Sequence, residues 1–176
     1  MLDIGKCCIT RFPAPVLGQK AKPVEKIDDS IRALADRMLD IMIQQKGVGL
    51  AGPQAGVPLR IFVASPDGTK KNAKVYINPV ITPSGKLEAA EEGCLSLPGI
   101  YGKIRRYSKC SIKAQGLDGR EFSEEAEGLL ARIFQHECDH LDGTLVADKL
   151  SIVAKIAARK KLKQLRENYA QQNKIG

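Results

Sequence analysis

The chain has 176 residues and a formal net charge of +8, with 43% hydrophobic and 27% charged residues, values ordinary for a globular protein with a hydrophobic core. Only 5% of the residues are aromatic and tryptophan is absent, which disfavours a stacking surface for single-stranded nucleic acid. No apolar run approaches the ~18 residues needed to cross a bilayer, and the N-terminus lacks the pattern of a signal or transit peptide. We therefore expect one domain over residues 1–176, located in the cytoplasm and away from membranes.

An extended arm, a helix and a glycine-rich loop are the first elements that the sequence predicts. Three prolines within residues 13–23 indicate the arm. An apolar stripe at helical spacing then predicts a helix that Asp28 or Asp29 caps and that ends near Gln45. The loop covers residues 47–58. The residues expected on the buried face of the helix are Ile31, Leu34, Ala35, Met38, Leu39 and Met42.

Short segments rich in β-branched and apolar residues follow the loop. Each segment is bounded by Gly, Pro, Asn or Asp, as is typical of strands. Asp118-Gly119 is a hairpin turn signal between the last two segments. The predicted strands cover residues 59–64, 75–81, about 103–114, and 120–123.

Two further helices are predicted over residues 127–141 and 151–172. In the first, four residues at spacings of four, three and four share one face: Leu129, Ile133, His136 and His140. In the second, the expected inner stripe is Ala154, Ala158, Leu162, Leu165 and Tyr169. The elements together predict an α+β fold, in which short antiparallel β-sheets pack around the histidine-bearing helix, with a helix near each end of the chain.

The two histidines of the chain lie in one run, His136-Glu137-Cys138-Asp139-His140. Imidazoles four residues apart on a helix point the same way, with the carboxylate of Glu137 beside them. In such an H-E-x-x-H arrangement the histidines bind a metal and the glutamate moves protons for a water molecule. The alternative to a metal site is two partly buried histidines at the surface. It is disfavoured because both histidines of the chain lie in this one run, with a glutamate at the required position. The run therefore indicates a hydrolytic metalloenzyme.

A tetrahedral metal site with an open position for water needs a third protein ligand. Asp142 and Asp148 are the next acids along the chain, but neither has a recognised spacing. Cys94 is a better candidate, because a thiolate with two imidazoles suits zinc or a divalent iron-group metal. Taken alone, Cys94 could equally be an inert buried cysteine.

The loop at residues 47–54 satisfies the pattern G-x-G-x-x-G. A dinucleotide-binding fingerprint must follow a strand and open a helix, whereas this loop follows a helix and runs into Pro53. We therefore expect no dinucleotide. The loop is suited instead to exposing backbone groups to an extended ligand and to presenting Gln54 as a hydrogen-bond donor.

Together these three segments resemble the peptide deformylase family, whose pattern is a G-x-G-L-A-A-x-Q loop, an E-G-C-L-S strand and a Q-H-E-x-D-H helix. Here they occupy residues 47–54, 92–96 and 135–140, in the same order and with similar separations. The chain departs from the pattern at Gly52, where the family usually has alanine. Tyr101 stands where some members carry arginine near the outer part of the substrate.

The resemblance implies hydrolysis of the N-formyl group from the N-terminal methionine of newly synthesised polypeptides, with release of formate. It implies that Cys94, His136 and His140 hold one divalent metal ion, usually Fe²⁺ in this family and replaceable by Zn²⁺, Ni²⁺ or Co²⁺. Glu137 would then be a general base followed by a general acid.

The resemblance also implies roles for residues around the metal. The side-chain amide of Gln54 and the backbone N–H of Leu95 would stabilise the oxyanion. Glu92 would orient a metal ligand and Arg106 would touch the peptide further along. The remaining implied substrate-binding residues are Val48, Leu129 and Ile133 around the methionine side chain, and Gly49 through its backbone.

The segment 149–176 carries eight basic residues and one acid, Glu167. Deformylases of this kind dock on the ribosome through a C-terminal helix, so the resemblance implies the ribosome as a partner. A solvated amphipathic helix packed on the domain is the alternative. The five cysteines cannot all pair, and adjacent Cys7-Cys8 is a poor start for a disulfide framework, so we expect free thiols in a reducing compartment.

Two other functions remain open from the residues alone. A zincin-type peptidase would need an acidic or histidine third ligand. A basic RNA-binding protein with a structural metal would need a fourth ligand, for which Cys138 is badly placed on the helix, although the pair Cys7-Cys8 stays available.

Overall fold

The structure, a computed structural model, describes residues 3–172. Five strands join in one antiparallel sheet in chain order: β1 (Gly49–Ala51), β2 (Ile61–Ala64), β3 (Lys74–Gly93), β4 (Tyr101–Gln115) and β5 (Glu121–Glu127). The helices are α1 (Asp29–Gln44), α2 (Gly128–Leu141), α3 (Val146–Lys149) and α4 (Ile152–Gln172). Short 3₁₀ helices occupy Ile4–Lys6, Pro15–Gly18 and Gly52–Ala55. The predicted α+β class is confirmed, with one sheet in place of several short ones.

Helix α1 forms where its cap and its apolar stripe predict it. The Asp28 side chain accepts hydrogen bonds from the backbone N–H groups of Ser30 and Ile31, which satisfies two donors of the first turn. All six residues of the predicted inner stripe are buried. The helix ends at Gln44, and Lys46, two residues later, adopts a left-handed conformation with φ of 54°. The glycine-rich loop therefore leaves the helix in a fixed direction.

Strand β3 is much longer than the predicted segment at residues 75–81. It continues to Gly93, pairs with β4 along a ribbon, and is interrupted by bulges at Ile77/Val80 and Ser84/Leu87. Residues 82–91 are exposed, so they carry no alternation of apolar and polar residues from which a strand could be predicted. The ribbon ends at the pair Gly93 and Tyr101, directly before Cys94.

Helix α2 packs one face on the sheet and turns the other towards a cleft. It starts directly after β5, where Gly128 has a φ of 57° and reverses the chain. Phe134 meets the ring of Tyr76 edge-on at 4.8 Å, and Tyr76 stacks on Phe62 at 4.6 Å. Such aromatic contacts, with burial of the helix face, hold α2 in one orientation. The opposite face carries His136.

Helix α4 lies on the body of the protein along its inner stripe. Leu165 is buried, and the other predicted stripe residues pack against the same apolar cluster. Ile152, Val153 and Ile156 are exposed on the outer side. No helix within residues 3–172 is long and apolar enough to span a membrane. Residues 173–176 of the predicted basic segment lie outside the described residues.

Candidate active site

Three possible metal ligands converge between the end of the β3–β4 ribbon and helix α2. The Sγ of Cys94 lies 3.2 Å from Nε2 of His140, and the Nε2 atoms of His136 and His140 are 3.2 Å apart. The ligand atoms of the three residues all lie within 4.8 Å of one another, and they are the one such His, Cys, Asp and Glu group among residues 3–172. Donors this close and convergent suit a single ion bound by two imidazoles and one thiolate.

The local fold explains why these donors meet. Residues four apart on α2 project from one face, so the two imidazoles meet edge to face with centroids 4.9 Å apart. Cys94 follows Gly93, whose missing side chain leaves room for the ring of Tyr101, since an added Cβ would lie 2.5 Å from that ring. The thiol is therefore delivered to the helix by a strand end rather than by a flexible loop.

Glu92 fixes the orientation of the first histidine. Its Oε2 lies 3.0 Å from Nδ1 of His136, and Arg106 donates to both of its oxygens at 2.7 and 2.8 Å. Arg132 adds a further hydrogen bond of 2.7 Å to Oε1. With the Nδ1 proton donated to this carboxylate, Nε2 of His136 keeps a lone pair for a metal.

The same contacts keep Glu92 ionised. Burial alone would raise the pKa of this carboxyl group, but the hydrogen bonds from His136 and Arg106, with the charge of Arg106, hold the pKa well below its usual range. Glu92 is 8% exposed, so solvent screens its negative charge only weakly. A permanent carboxylate thus stands directly behind a metal-ligand candidate.

The two imidazoles experience different environments. Burial lowers the pKa of His140 well below its ordinary value, and the neighbouring His136 lowers it further, which favours the neutral imidazole. Burial also lowers the pKa of His136, but its contacts with Cys94 and Glu92 outweigh burial and raise the pKa to about 10. The surroundings of His136 therefore favour positive charge, which a bound cation would supply. The two imidazoles and one thiolate suit a divalent metal ion as ligands, and the surrounding charges favour a cation at this position.

Glu137 lies beside the donor group and is 3% exposed. Its Oε2 is buried without a hydrogen-bond partner among the described residues. Burial raises the pKa of this carboxyl group to about 7, although the charges of His136 and Arg106 oppose the shift. A carboxyl group that titrates near neutrality, with a free oxygen in a cleft, is suited to accepting and returning a proton.

Gln54 and Leu95 lie next to Cys94, Gln54 through a hydrogen bond and Leu95 as the following residue. Gln54 is 1% exposed, its Oε1 accepts from the backbone N–H of Ala51 at 2.9 Å, and its Nε2 donates to Sγ of Cys94 at 3.4 Å. One N–H of this amide remains for a ligand. The backbone N–H of Leu95 makes no hydrogen bond to residues 3–172. Two preorganised donors therefore border the metal-ligand candidates.

A cleft of about 520 Å³ opens onto this group. Val48, Leu129 and Ile133 line it, and His136 and Glu137 border it from α2. Val48 and Leu129 are 36% and 54% exposed, so they present apolar surface to the cleft. The cleft thus combines an apolar wall with the polar group.

The resemblance implied that Arg106 contacts the peptide, but the structure places Arg106 outside the cleft lining. It is 3% exposed and bound to Glu92, and its Nη1 donates to Asp139 at 2.7 Å, so it lies behind the metal-ligand candidates and outside the cleft lining. Burial of a guanidinium requires such carboxylate partners. Glu92 does border the cleft, but all of its described bonds point inward to Arg106, Arg132 and His136.

Sequence reasoning missed two members of this network, Arg132 and Asp139. Arg132 precedes His136 by one helical turn, so the i, i+4 spacing could have identified it. Asp139 links Arg106 to Lys149 at 2.8 Å. Asp142 pairs with Arg60 at 2.7 Å, and Asp148 accepts from the backbone of Leu145 at 2.8 Å, so both acids considered as third ligands are engaged elsewhere.

Comparison with known proteins identifies the family. Residues 7–155 match the family model for polypeptide deformylase. A peptide deformylase of Pseudomonas aeruginosa is 45% identical over 157 residues, covering 89% of this chain and 94% of the relative. The chloroplastic peptide deformylase 1B of Oryza sativa is 39% identical over 164 residues, covering 92% of this chain and 61% of the relative.

Solved structures give the same result. Peptide deformylase from Plasmodium falciparum superimposes with a TM-score of 0.89 at 38% identity, covering 93% of this chain and 97% of that one. The Legionella pneumophila enzyme gives a TM-score of 0.85 at 42% identity, with 92% and 96% covered. The agreement of sequence, fold and site shows that this protein belongs to the polypeptide deformylase family.

Proposed function

We propose that this protein hydrolyses the N-formyl group of N-terminal formyl-methionine on newly synthesised polypeptides and releases formate. The observation that carries the proposal is the convergence of Cys94, His136 and His140 within 4.8 Å beside the buried carboxyl of Glu137. Membership of the polypeptide deformylase family indicates that the bond cleaved is the formyl amide. The four residues indicate how it is cleaved, by a metal site with a proton carrier beside it.

Cys94, His136 and His140 would bind one divalent metal ion, and Fe²⁺ is our choice for its identity in the cell. A thiolate with two imidazoles also accepts Zn²⁺, Ni²⁺ and Co²⁺, which are expected in preparations. When bound, the ion supplies Lewis-acid chemistry: it acidifies water and polarises a carbonyl. Activity measured after loading with each metal, under anaerobic conditions for Fe²⁺, tests the choice.

Glu137 is the proton carrier of the proposed reaction. Its free Oε2 accepts the proton of the attacking water, and the same carboxyl then donates it to the departing amine nitrogen as the C–N bond breaks. The products are formate and a free N-terminal amine. A pKa of about 7 allows both steps without a large energetic penalty.

Gln54 and Leu95 stabilise the charge that develops on the formyl oxygen. Their N–H groups are held in place before substrate arrives, because Gln54 is fixed by Ala51 and Leu95 follows Cys94 directly. Such donors contribute about 10²–10³-fold each to the rate. The apolar wall of Val48, Leu129 and Ile133 receives the methionine side chain, while the backbone of Gly49 pairs with the substrate backbone.

Formate release from a formyl-Met-Ala-Ser peptide by metal-loaded protein tests the function. The matched controls are acetyl-Met-Ala-Ser and a longer peptide without a formyl group. We expect turnover of the formyl peptide alone. Cleavage of internal peptide bonds, or no formate from any metal-loaded form, would reject the proposal and favour a peptidase or a non-enzymatic role.

Helix α4 is proposed as the contact with the ribosome, and a cytoplasmic location follows from that role and from the five free cysteines. Its outer face exposes Ile152, Val153 and Ile156, followed by basic side chains at Arg159, Lys160 and Lys163. Exposed cations at helical spacing suit RNA phosphates.

Co-sedimentation with ribosomes across a salt series tests this contact. Reversal of Arg159, Lys160 and Lys163 to glutamate should abolish binding, while the three substitutions leave the buried Leu165 in place. In wild-type protein the affinity should fall steeply as salt rises. Equal sedimentation of both proteins would reject the helix as the docking element.

A further inference from the structure

Two cations border the cleft without a partner. Arg11 and Lys46 both line it and are both exposed. Neither side chain forms an ion pair or a hydrogen bond with any residue in the range 3–172. Their charges are therefore available to a ligand in the cleft. We refer to Arg11 and Lys46 together as the basic rim.

The position of Lys46 follows from the glycine loop. Gly49 lies against the carboxylate of Glu137, the proposed proton carrier. The formyl amide that is hydrolysed is therefore expected next to Gly49. Gly47 is next to the side chain of Leu95, and Lys46 comes one residue earlier, two residues after the end of α1.

Gly49 and Lys46 are three residues apart, so at ~3.3 Å per residue they are separated by at most about 10 Å. The true separation is shorter, because Lys46 has a left-handed φ and the backbone N–H of Gly47 donates to the carbonyl of Met42 in the turn after α1. A peptide extended along the loop would bring its third residue near Lys46.

Arg11 is held at the same mouth of the cleft by its two neighbours. The backbone N–H of Thr10 donates to the carbonyl of Gln54 at 2.7 Å, and that of Phe12 donates to the carbonyl of Ser96 at 2.9 Å. Gln54 and Ser96 flank the donor group on both sides of Cys94. The backbone on both sides of Arg11 is therefore fixed against the site, and its exposed side chain lines the cleft.

The other charges of the cleft are largely engaged. Arg132 is bound to Glu92, and Glu92 and Glu137 are buried. Glu91 also lines the cleft and is exposed; its cross-strand neighbour is the exposed Lys103, and the described residues 3–172 show no ion pair between the two. Among the exposed charges of the cleft lining, the two cations Arg11 and Lys46 therefore face one carboxylate, Glu91.

We propose that the basic rim makes this enzyme prefer formyl-methionyl peptides that carry an acidic side chain at residues 3 to 4. The proposal rests on the deformylase function and names the class of substrate that the outer cleft selects. Contacts so far from the reacting bond are made equally in the ground and transition states, so the preference belongs in KM. For exposed charge pairs its size is about two- to five-fold.

The experiment compares matched peptides on metal-loaded protein. A series based on formyl-Met-Ala-Ala-Ala carries Asp, Asn or Lys at residue 2, 3 or 4, and kcat and KM are measured for each at low salt and at 0.5 M salt. Wild type should favour Asp over Lys by about two- to five-fold at residue 3 or 4, through KM. High salt should reduce the ratio, because exposed charges are screened.

Three variants show whether the rim is the cause. Lys46→Gln and Arg11→Gln should each lower the Asp-to-Lys ratio and the double variant should bring it near one. Lys86→Gln, which removes an equally exposed lysine on the β3–β4 ribbon, should leave the ratio unchanged. A wild-type ratio near one, or an equal loss in Lys86→Gln, overturns the rim while leaving the deformylase function intact. Failure to hydrolyse any peptide of the series overturns both.

Discussion

Gly49 lies in direct contact with Glu137. A Cβ placed on Gly49 would overlap Oε1 of Glu137 and would lie 2.8 Å from its Cδ. The carboxyl group is therefore confined between the loop and helix α2, which explains why glycine is needed at this position irrespective of backbone conformation. A loop predicted to bind substrate thus also sets the position of the proposed proton carrier.

Replacement of this glycine tests that contact. Gly49→Ala should reduce kcat by about 10²-fold, because a displacement of about 1 Å at a reacting group has an effect of that order. Metal content should be unchanged, since none of the three ligand candidates is touched. Gly18→Ala is the matched control, since an added Cβ there meets nothing within 4 Å. Full activity in Gly49→Ala would show that the carboxyl position does not matter.

Removal of the proton carrier should separate chemistry from metal binding. Glu137→Gln keeps the shape of the side chain but cannot accept a proton from water, so kcat should fall by about 10²–10⁴-fold. Formate release and metal content measured on one preparation check this. Turnover within a few-fold of wild type would remove Glu137 from the mechanism.

The buried ion pair behind the site should be important for stability. Arg106→Met leaves Glu92 with fewer partners in a buried position, and we expect a loss of about 3–5 kcal/mol in the free energy of unfolding. Arg105→Met, at the neighbouring exposed position, should change it by less than about 0.5 kcal/mol. Denaturant unfolding at pH 7 measures both. Equal effects would mean that the pairing of Glu92 contributes little.

Removal of the metal should expose one thiol. In metal-loaded protein, iodoacetamide should modify the exposed Cys8, whereas Cys94 should be protected by coordination. A chelator should make Cys94 reactive as well. Cys110 should stay unmodified until the protein unfolds, because it is buried and its pKa is raised to about 11 by burial. Mass spectrometry locates each adduct, and equal labelling of Cys94 with and without metal would refute coordination.

Helices α1, α2 and α4 could be predicted from the sequence because local signals agreed with the tertiary structure, whereas the short α3 was not predicted. Asp28 caps α1 and the stripe from Ile31 to Met42 faces the core as predicted. The far half of β3 could not be predicted, because residues 82–91 are exposed and are held by pairing with β4 rather than by burial. A strand segment that is exposed on both faces has no alternation of apolar and polar residues by which it could be recognised.

The three candidate metal ligands could be predicted from the sequence, but most of the ion-pair network that surrounds them could not. Spacing on a helix brings His136 and His140 together, and the family resemblance adds Cys94. The burial of Arg106 depends on carboxylates from two elements, Glu92 at the end of β3 and Asp139 on α2. A charged residue in the sequence is usually at the surface, so its inward orientation became visible only in three dimensions.

The central claim is that Cys94 and the two histidines bind one catalytic metal ion, and metal content measured together with formate release tests it most directly. Wild type and the control Cys8→Ser should each bind one ion per chain and be active. Cys94→Ala should lose both the ion and the activity. A Cys94→Ala protein that keeps one ion per chain and hydrolyses formyl-Met-Ala-Ser at the wild-type rate would contradict the account.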